Sequence, residues 1–350
     1  MHQETDIDTF LKLAGEIPVI DVRTPAEFKQ GRIPVAHNIP LFSDAERKSV
    51  GIAYKTKGRQ HAILKGMDYA RPKMKSYVEK ALKTSPNQNL LIHCWRGGMR
   101  SASMAWLFEI SGLHCHVLKG GYKSFRNKVL ACLNETYPFL VIGGLTGSGK
   151  TGILRSLAGK SEQILDLEGL AHHKGSAFGH IGEKAQSTNE QFENDIFWTL
   201  NQLESGRIIW VEDESRGIGK NTIPGGIFER MRQAPLIFLD VPLKIRIQRL
   251  VKDYTGCPDE LLLSSIEKIS KKLGGQITRE AIRSIHIKNY AKTAELLLRY
   301  YDKTYLFSLG KRDPDKVFRI RIEDLFSYEA SAEQILQFVK QNIHTWNLFN

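Results

Sequence analysis

The stretch NLLIHCWRGGMRSASMAWLFEISG, residues 89–112, runs an apolar segment into a cysteine, a glycine-rich turn and a second apolar segment. Residues 89–94 are short, apolar and closed by the turn, as a buried strand would be. SASMAWLFEISG spaces its apolar residues for a helix that stops at Gly112. A strand feeding directly into a helix is half of a parallel α/β unit, and such units gather chemistry at the carboxyl ends of their strands. Cys94 sits at one.

That position dictates its environment. Backbone N–H groups converge where the strand turns into the helix, and they favour a thiolate over a thiol. Gly97 and Gly98 let the backbone curl with its amides inward. Arg100 can close the ring with a two-point grip on an oxyanion, and Arg96 stands beside it. Three readings of Cys94 stay open on these residues: a buried apolar cysteine, a phosphatase nucleophile with a C-x5-R loop, or a carrier of sulfur or selenium.

Further strands flank this one. IPVIDVRTPAEFKQGRIPVAHNIP, residues 17–40, opens with an apolar strand, and HCHVLKGG, residues 114–121, is a strand stopped by Gly120 and Gly121. YKSFRNKVLACLNETYP, residues 122–138, reads as a helix leading to a boundary. A second unit then begins with PFLVIGG as a strand and GLTGSGKTGILRSLAG, residues 144–159, as a loop followed by a helix. RIIWVEDES and APLIFLDVPL are apolar strands ending in acids, as in buried parallel sheets. From about Lys244 the chain turns mainly helical and basic.

GLTGSGKT fits G-x-x-x-x-G-K-[ST] with the flanking strand and helix the motif requires. Gly144, Gly147 and Gly149 free the backbone amides to wrap phosphate oxygens, Lys150 adds a point charge, and the Thr151 hydroxyl suits Mg²⁺. The partner acid is expected from IIWVEDES, with Asp213 preferred over Glu212 and Glu214. The loop specifies a polyphosphate without choosing between a nucleoside triphosphate and a prenyl diphosphate.

Bulk properties bound the rest. A chain of 350 residues with 41% hydrophobic content fits two soluble domains. No run of about eighteen apolar residues exists to span a bilayer, and the start lacks a secretory pattern. Four cysteines without paired spacing suit a reducing cytoplasm and no metal site. The net charge of +12 favours a polyanionic partner, and residues 241–300 hold twelve Lys or Arg against six Asp or Glu. In LKIRIQRLVKDY, Arg246, Arg249 and Lys252 share one helical stripe, which is a phosphate lid, an RNA-facing surface or a solvated face. LEGLAHHKGSAFGH brings His172, His173 and Lys174 together as a plain polar loop or as a contact for phosphate or nucleic acid. His114 and His116 alternate on a strand, where packing is the plain reading.

VIDVRTPAEFKQGRIPVAHNIP and LKGGYKSFR resemble the opening and closing segments of a rhodanese domain, and HCWRGGMRS resembles its active-site loop. Five residues separate Cys94 from Arg100 where the usual sulfurtransferase has four, so the cradle is wider and better matched to a phosphate-sized group. With GLTGSGKT, LEGLAHHKGSAFG and WVEDESRGIG following in order, the chain resembles the bacterial tRNA 2-selenouridine synthases over essentially its whole length.

The resemblance implies a rhodanese-like parallel-sheet α/β domain over residues 1–128, a helical linker over 129–137, a P-loop NTPase-like α/β domain over 138–260 and a mainly helical segment over 261–350. It implies a cytoplasmic transferase that alkylates the wobble 2-thiouridine of tRNA with geranyl diphosphate, then exchanges the geranylated sulfur for selenium from selenophosphate. Cys94, Arg96 and Arg100 would serve the incoming anion. Gly144, Gly147, Gly149, Lys150, Thr151 and Asp213 would hold a phosphorylated donor, with Mg²⁺ and no tightly bound cofactor. Arg246, Arg249, Lys252, Lys271 and Lys272 would contact tRNA. The rivals are a P-loop kinase or NTPase with a regulatory rhodanese module, a cysteine phosphatase with Asp44 as acid, and a non-catalytic tRNA-binding protein.

Overall fold

In the computed structural model, which describes residues 3–322, 327–342 and 346, the chain divides into two units. One is Met1–Cys132 with Glu193–Phe197, the other Leu133–Phe192 with Trp198–Asn350.

Through residue 132 the elements are β1 (Gln3–Thr5), α1 (Ile7–Leu13), β2 (Val19–Asp21), α2 (Pro25–Gln30), β3 (Ala36–Asn38), α3 (Asp44–Ala70), α4 (Met74–Thr84), β4 (Asn89–His93), α5 (Met99–Glu109), β5 (His114–Leu118) and α6 (Gly121–Cys132). The sheet is parallel throughout, in the order β1-β5-β4-β2-β3. β4 is interior to it, and Leu90, Leu91 and Ile92 are fully buried, which accounts for its unbroken apolar run. The register pairs Asp21 with His93, so β2 and β4 end side by side and bring the VIDVR segment next to Cys94.

Two findings depart from the sequence reading. The helix anticipated through residue 138 stops at Cys132, because Asn134, Thr136 and Pro138 are poor helix formers. No element is anticipated over residues 44–84, where the structure forms α3 and α4. Ser43 and Glu46 close a reciprocal capping box at the start of α3.

The second half of the chain contains β6 (Phe139–Gly144), α7 (Lys150–Gly159), β7 (Gln163–Leu165), α8 (Leu167–Ala171), α9 (Asn189–Leu200), β8 (Ile209–Glu212), a small hairpin of β9 (Gly217–Ile218) and β10 (Asn221–Thr222), α10 (Gly225–Gln233) and β11 (Leu236–Asp240). There follow α11 (Leu243–Tyr254), α12 (Asp259–Lys268), α13 (Ser270–Leu273), α14 (Gly275–His286), α15 (Tyr290–Leu309), β12 (Val317–Arg321) and α16 (Tyr328–Asn342). A second parallel sheet runs β12-β11-β6-β8-β7. Every residue of β6 is buried, and β6 delivers its carboxyl end into the glycine loop.

The tail is not helical alone. β12 returns to the sheet edge beside β11, with Leu236 opposite Val317, and its apolar–basic alternation suits an edge strand. α16 packs on α7 through Ala332, Ile335 and Val339, while α12 to α15 enclose a separate apolar cluster. Among the described residues no helix is long and apolar enough to cross a membrane.

Candidate functional site

Cys94 is 3% exposed and lies at the floor of a hollow of about 440 Å³, whose walls are Arg47, Trp95, Arg96, Gly98, Met99 and Arg100. Its Sγ receives the Gly98 backbone N–H at 3.3 Å and meets Ser101 Oγ at 3.2 Å. Burial opposes a thiolate here. Hydrogen bonds from the Ser101 side chain and backbone and from the Arg96 N–H, with the charge of Arg100, outweigh burial and hold the thiol below its ordinary range. Cys115 makes the contrast: burial pushes it up to about 12, as expected of an inert structural thiol. The loop closes on α6 so tightly that a Cβ at Gly121, φ +58°, would stand 2.4 Å from the Cys94 carbonyl oxygen.

A buried polar network supports this loop. Arg23 grips Asp21 through two hydrogen bonds from Nε at 3.0 Å and one from Nη2 at 2.6 Å, and lies 3.7 Å over the Tyr122 ring. His93 stands beside Asp21, Nε2 to Oδ2 3.7 Å. Burial pushes His93 down to about 4, so it is neutral at ordinary pH despite its carboxylate neighbour.

Arg100, anticipated as the ring-closing grip, is held instead by Glu27, with Nη1 to Oε2 at 2.8 Å and Nη2 to Oε1 at 3.3 Å. Glu27 also accepts the Thr24 N–H as the far half of the α2 capping box. Arg96 and, unforeseen, Arg47 from α3 are the exposed guanidinium groups on the wall of the hollow. Asp44 accepts the Ala26 N–H at the start of α2.

In the second unit the glycine loop has the wrapped form its sequence requires. Gly149 caps α7 at φ +84°, with Arg249 and Tyr328 each 2.9 Å from the place of a Cβ. Gly144 donates its N–H to Tyr305, and Lys150 reaches back to the Gly144 carbonyl at 3.2 Å. Gly147 lies against Arg246. Ser148 Oγ is buried in the loop with no hydrogen-bond partner, a donor suited to a phosphate oxygen. Thr151 Oγ1 donates to Glu168 at 2.7 Å and approaches Glu212 at 3.2 Å. Burial, with Glu168 and Asp166 nearby, pushes Glu212 up to about 8.

Asp213 is therefore not the acid beside Thr151. It accepts from Tyr305 at 2.7 Å and from Arg312 at 2.6 Å, while the Thr151 hydroxyl is bonded to Glu168 and Glu212. At its two arginines the basic stripe on α11 is not a solvent-facing surface either. Arg246 and Arg249 are 4% and 6% exposed, so neither faces RNA. Arg246 is bonded to both oxygens of Asp302 and to the Thr146 carbonyl, and Arg249 to the Ser148 carbonyl. Both brace the phosphate loop, as carbonyl partners far off in sequence permit. Lys252, Lys271 and Lys272 stay on the surface.

The loop opens onto a cavity of about 1410 Å³. Its lining includes the polar side chains of Lys150, Thr151, Glu168, His172, His173 and Lys174. It also includes Phe178, Tyr254, Ile269, Ile285, Leu297 and Tyr301, which pack together in one apolar cluster. His114 and His116 lie on β5, away from either hollow, and among the described residues no cluster of three or more His, Cys, Asp or Glu could hold a metal ion.

A thiol floored by inward amides on one parallel sheet, and a phosphate loop on another, define a rhodanese-type cradle joined to a P-loop unit. Comparison with known proteins agrees. The family described as rhodanese-like domain matches residues 6–128, and that described as tRNA 2-selenouridine synthase AAA domain matches residues 137–335. The tRNA 2-selenouridine synthase of Shewanella sediminis is 34% identical, over 88% of this chain and 92% of its own. That of Proteus mirabilis is 34% identical over 93% and 95%, and that of Serratia proteamaculans 35% over 87% and 90%. The chain belongs to the tRNA 2-selenouridine synthase family.

Proposed function

We propose that this protein converts the wobble 2-thiouridine of tRNA to 2-selenouridine through an S-geranyl intermediate, with the P-loop unit serving geranylation and the Cys94 cradle serving selenium transfer. In the first step the thiocarbonyl sulfur attacks C1 of geranyl diphosphate and pyrophosphate leaves. In the second, the selenium of selenophosphate adds at C2, geranylthiol departs, and water cleaves the P–Se bond so that phosphate leaves and 2-selenouridine remains. Alkylation turns a poor leaving group into a good one.

The observation that carries this reading is the cavity at the phosphate loop, whose lining joins polar loop residues to an apolar cluster. Loop amides, Lys150 and the unpartnered Ser148 hydroxyl suit a diphosphate head. The wall of Phe178, Tyr254, Ile269, Ile285 and Leu297 suits a hydrocarbon tail, whose burial is worth about 25 cal/mol per Å². Mg²⁺ fits the oxygen donors of Thr151, Glu168 and Glu212 if phosphate and water complete its shell, and it would neutralise the departing pyrophosphate. On the Cys94 side, a seven-residue loop with two exposed arginines on its wall matches a tetrahedral anion. Glu27 on Arg100, and Asp44 committed to α2, weigh against the phosphatase reading.

Purified protein, 2-thiouridine tRNA, geranyl diphosphate and selenophosphate, mixed with one component omitted at a time and analysed by nucleoside mass spectrometry, test this. Accumulation of S-geranyl-2-thiouridine without selenophosphate supports the order. Formation of 2-selenouridine without geranyl diphosphate contradicts it.

A further inference from the structure

Residues 47–67 hold six Lys or Arg and no Asp or Glu. All lie on α3, and the run of residues 54–61 is exposed without interruption. Midway the helix breaks at Gly58, φ +82°, where no heavy atom lies within 4 Å of a would-be Cβ. The break thus presents Lys55, Lys57 and Arg59 to solvent on an open apex.

Both halves of α3 flank the Cys94 loop. Before the break, Arg47 lines the hollow over the thiol. After it, Arg59 Nη2 lies 3.9 Å from Met99 Sδ in the loop itself. Tyr54 on α3 and Trp95 in the Cys94 loop are 60% and 39% exposed, and both are aromatic groups that stack well. The acids at the start of α3 are committed elsewhere, Asp44 to the α2 backbone and Glu46 to Lys73.

We infer that α3 and the Cys94 loop form the face that receives the single-stranded loop of the RNA substrate. Lys55, Lys57 and Arg59 neutralise backbone phosphates, and Tyr54 and Trp95 offer stacking platforms to unpaired bases. The thiol lies at the bottom of a hollow, so a base in a duplex would not reach it, whereas a base splayed from a loop would. This rests on tRNA being the substrate, and is independent of which unit performs which step.

The test is fluorescence anisotropy of the full chain with a labelled anticodon stem–loop, across a salt series and without donors. The triple variant K55Q/K57Q/R59Q should raise Kd by roughly tenfold or more and lower the salt slope by about 2, at about 0.7 per lost single-strand contact. K80Q/K83Q on α4 should change Kd by less than about twofold. Alkylation of Cys94 by iodoacetamide at the wild-type rate would show the triple variant folded. Crosslinks from 4-thiouridine in the RNA loop should fall within residues 47–67 or 94–100. Wild-type affinity and slope in the triple variant, or crosslinks confined to residues beyond 133, would overturn the inference. So would unchanged RNA binding alongside lost binding to phosphatidylglycerol vesicles, which would assign the face to lipid. A wild-type chain with no affinity for the RNA would instead undo the functional reading.

Discussion

Glu27 holds Arg100 in a two-point grip at the rim of the Cys94 hollow, spending on a carboxylate the fork that would otherwise meet an incoming anion. Burial opposes the charge on Glu27, but Arg100 keeps its carboxyl below the usual range, so the pair is intact at neutral pH. Glu27→Gln removes the competing charge and leaves Arg100 facing the hollow. Alkylation of Cys94 by anionic iodoacetate should then accelerate by roughly threefold or more relative to neutral iodoacetamide, one charge removed at a partly screened distance. An unchanged ratio would show that Arg100 does not reach the anion's path.

His93 makes the first unit acid-sensitive. The unfolded chain binds its proton near pH 6.5 and the folded one only near 4, so stability is lost as pH falls between those values. The loss should reach about 2 kcal/mol by pH 5 and about 3 kcal/mol by pH 4. Urea midpoints for His93→Gln should lie closer together at pH 7 and pH 5 than those of the unaltered chain. Parallel declines in the two proteins would place the acid sensitivity elsewhere.

The Cys94 and phosphate loops were legible because strand, glycines and helix are contiguous in sequence. Which acid serves Thr151 was not. Neighbouring strand residues point to opposite faces, so the choice among Glu212, Asp213 and Glu214 depends on register. β8 sets Glu212 opposite Ile142, and Asp213 just beyond it meets Arg312, a partner 99 residues away in sequence that only the fold reveals. Arg246 and Arg249 misled for a related reason: a charged helical stripe reads as solvated until Asp302 and the loop carbonyls supply partners. Glu168 lies inside the quoted LEGLAHHKGSAFG segment, where the histidines and Lys174 drew the reading, and Tyr305 carried no local motif.

Glu212 titrates in the opposite sense to His93. Its folded pKa of about 8 stands above the unfolded 4.5, so stability declines as pH rises through that interval. Glu212→Gln keeps the shape of the protonated acid. It should match the unaltered chain in Tm near pH 4 and exceed it at pH 8.5, as differential scanning calorimetry would record. A lower Tm for the variant at pH 8.5 would mean that the ionised carboxylate stabilises the loop.

Leu297 lines the large cavity as part of its apolar cluster. Leu297→Trp should raise the Kd of geranyl diphosphate by roughly tenfold through overpacking, while inorganic pyrophosphate, which needs only the loop, binds as before. Isothermal titration calorimetry separates the two ligands. Equal weakening of both would place the prenyl chain elsewhere.

The division of the two steps between two cradles is tested most directly by nucleoside mass spectrometry on tRNA treated with Cys94→Ala and with Lys150→Ala, each step supplied separately. Cys94→Ala should geranylate 2-thiouridine at close to the normal rate and fail to convert S-geranyl-2-thiouridine to 2-selenouridine, with Lys150→Ala showing the reverse. Equal loss of both steps in either variant would contradict the division.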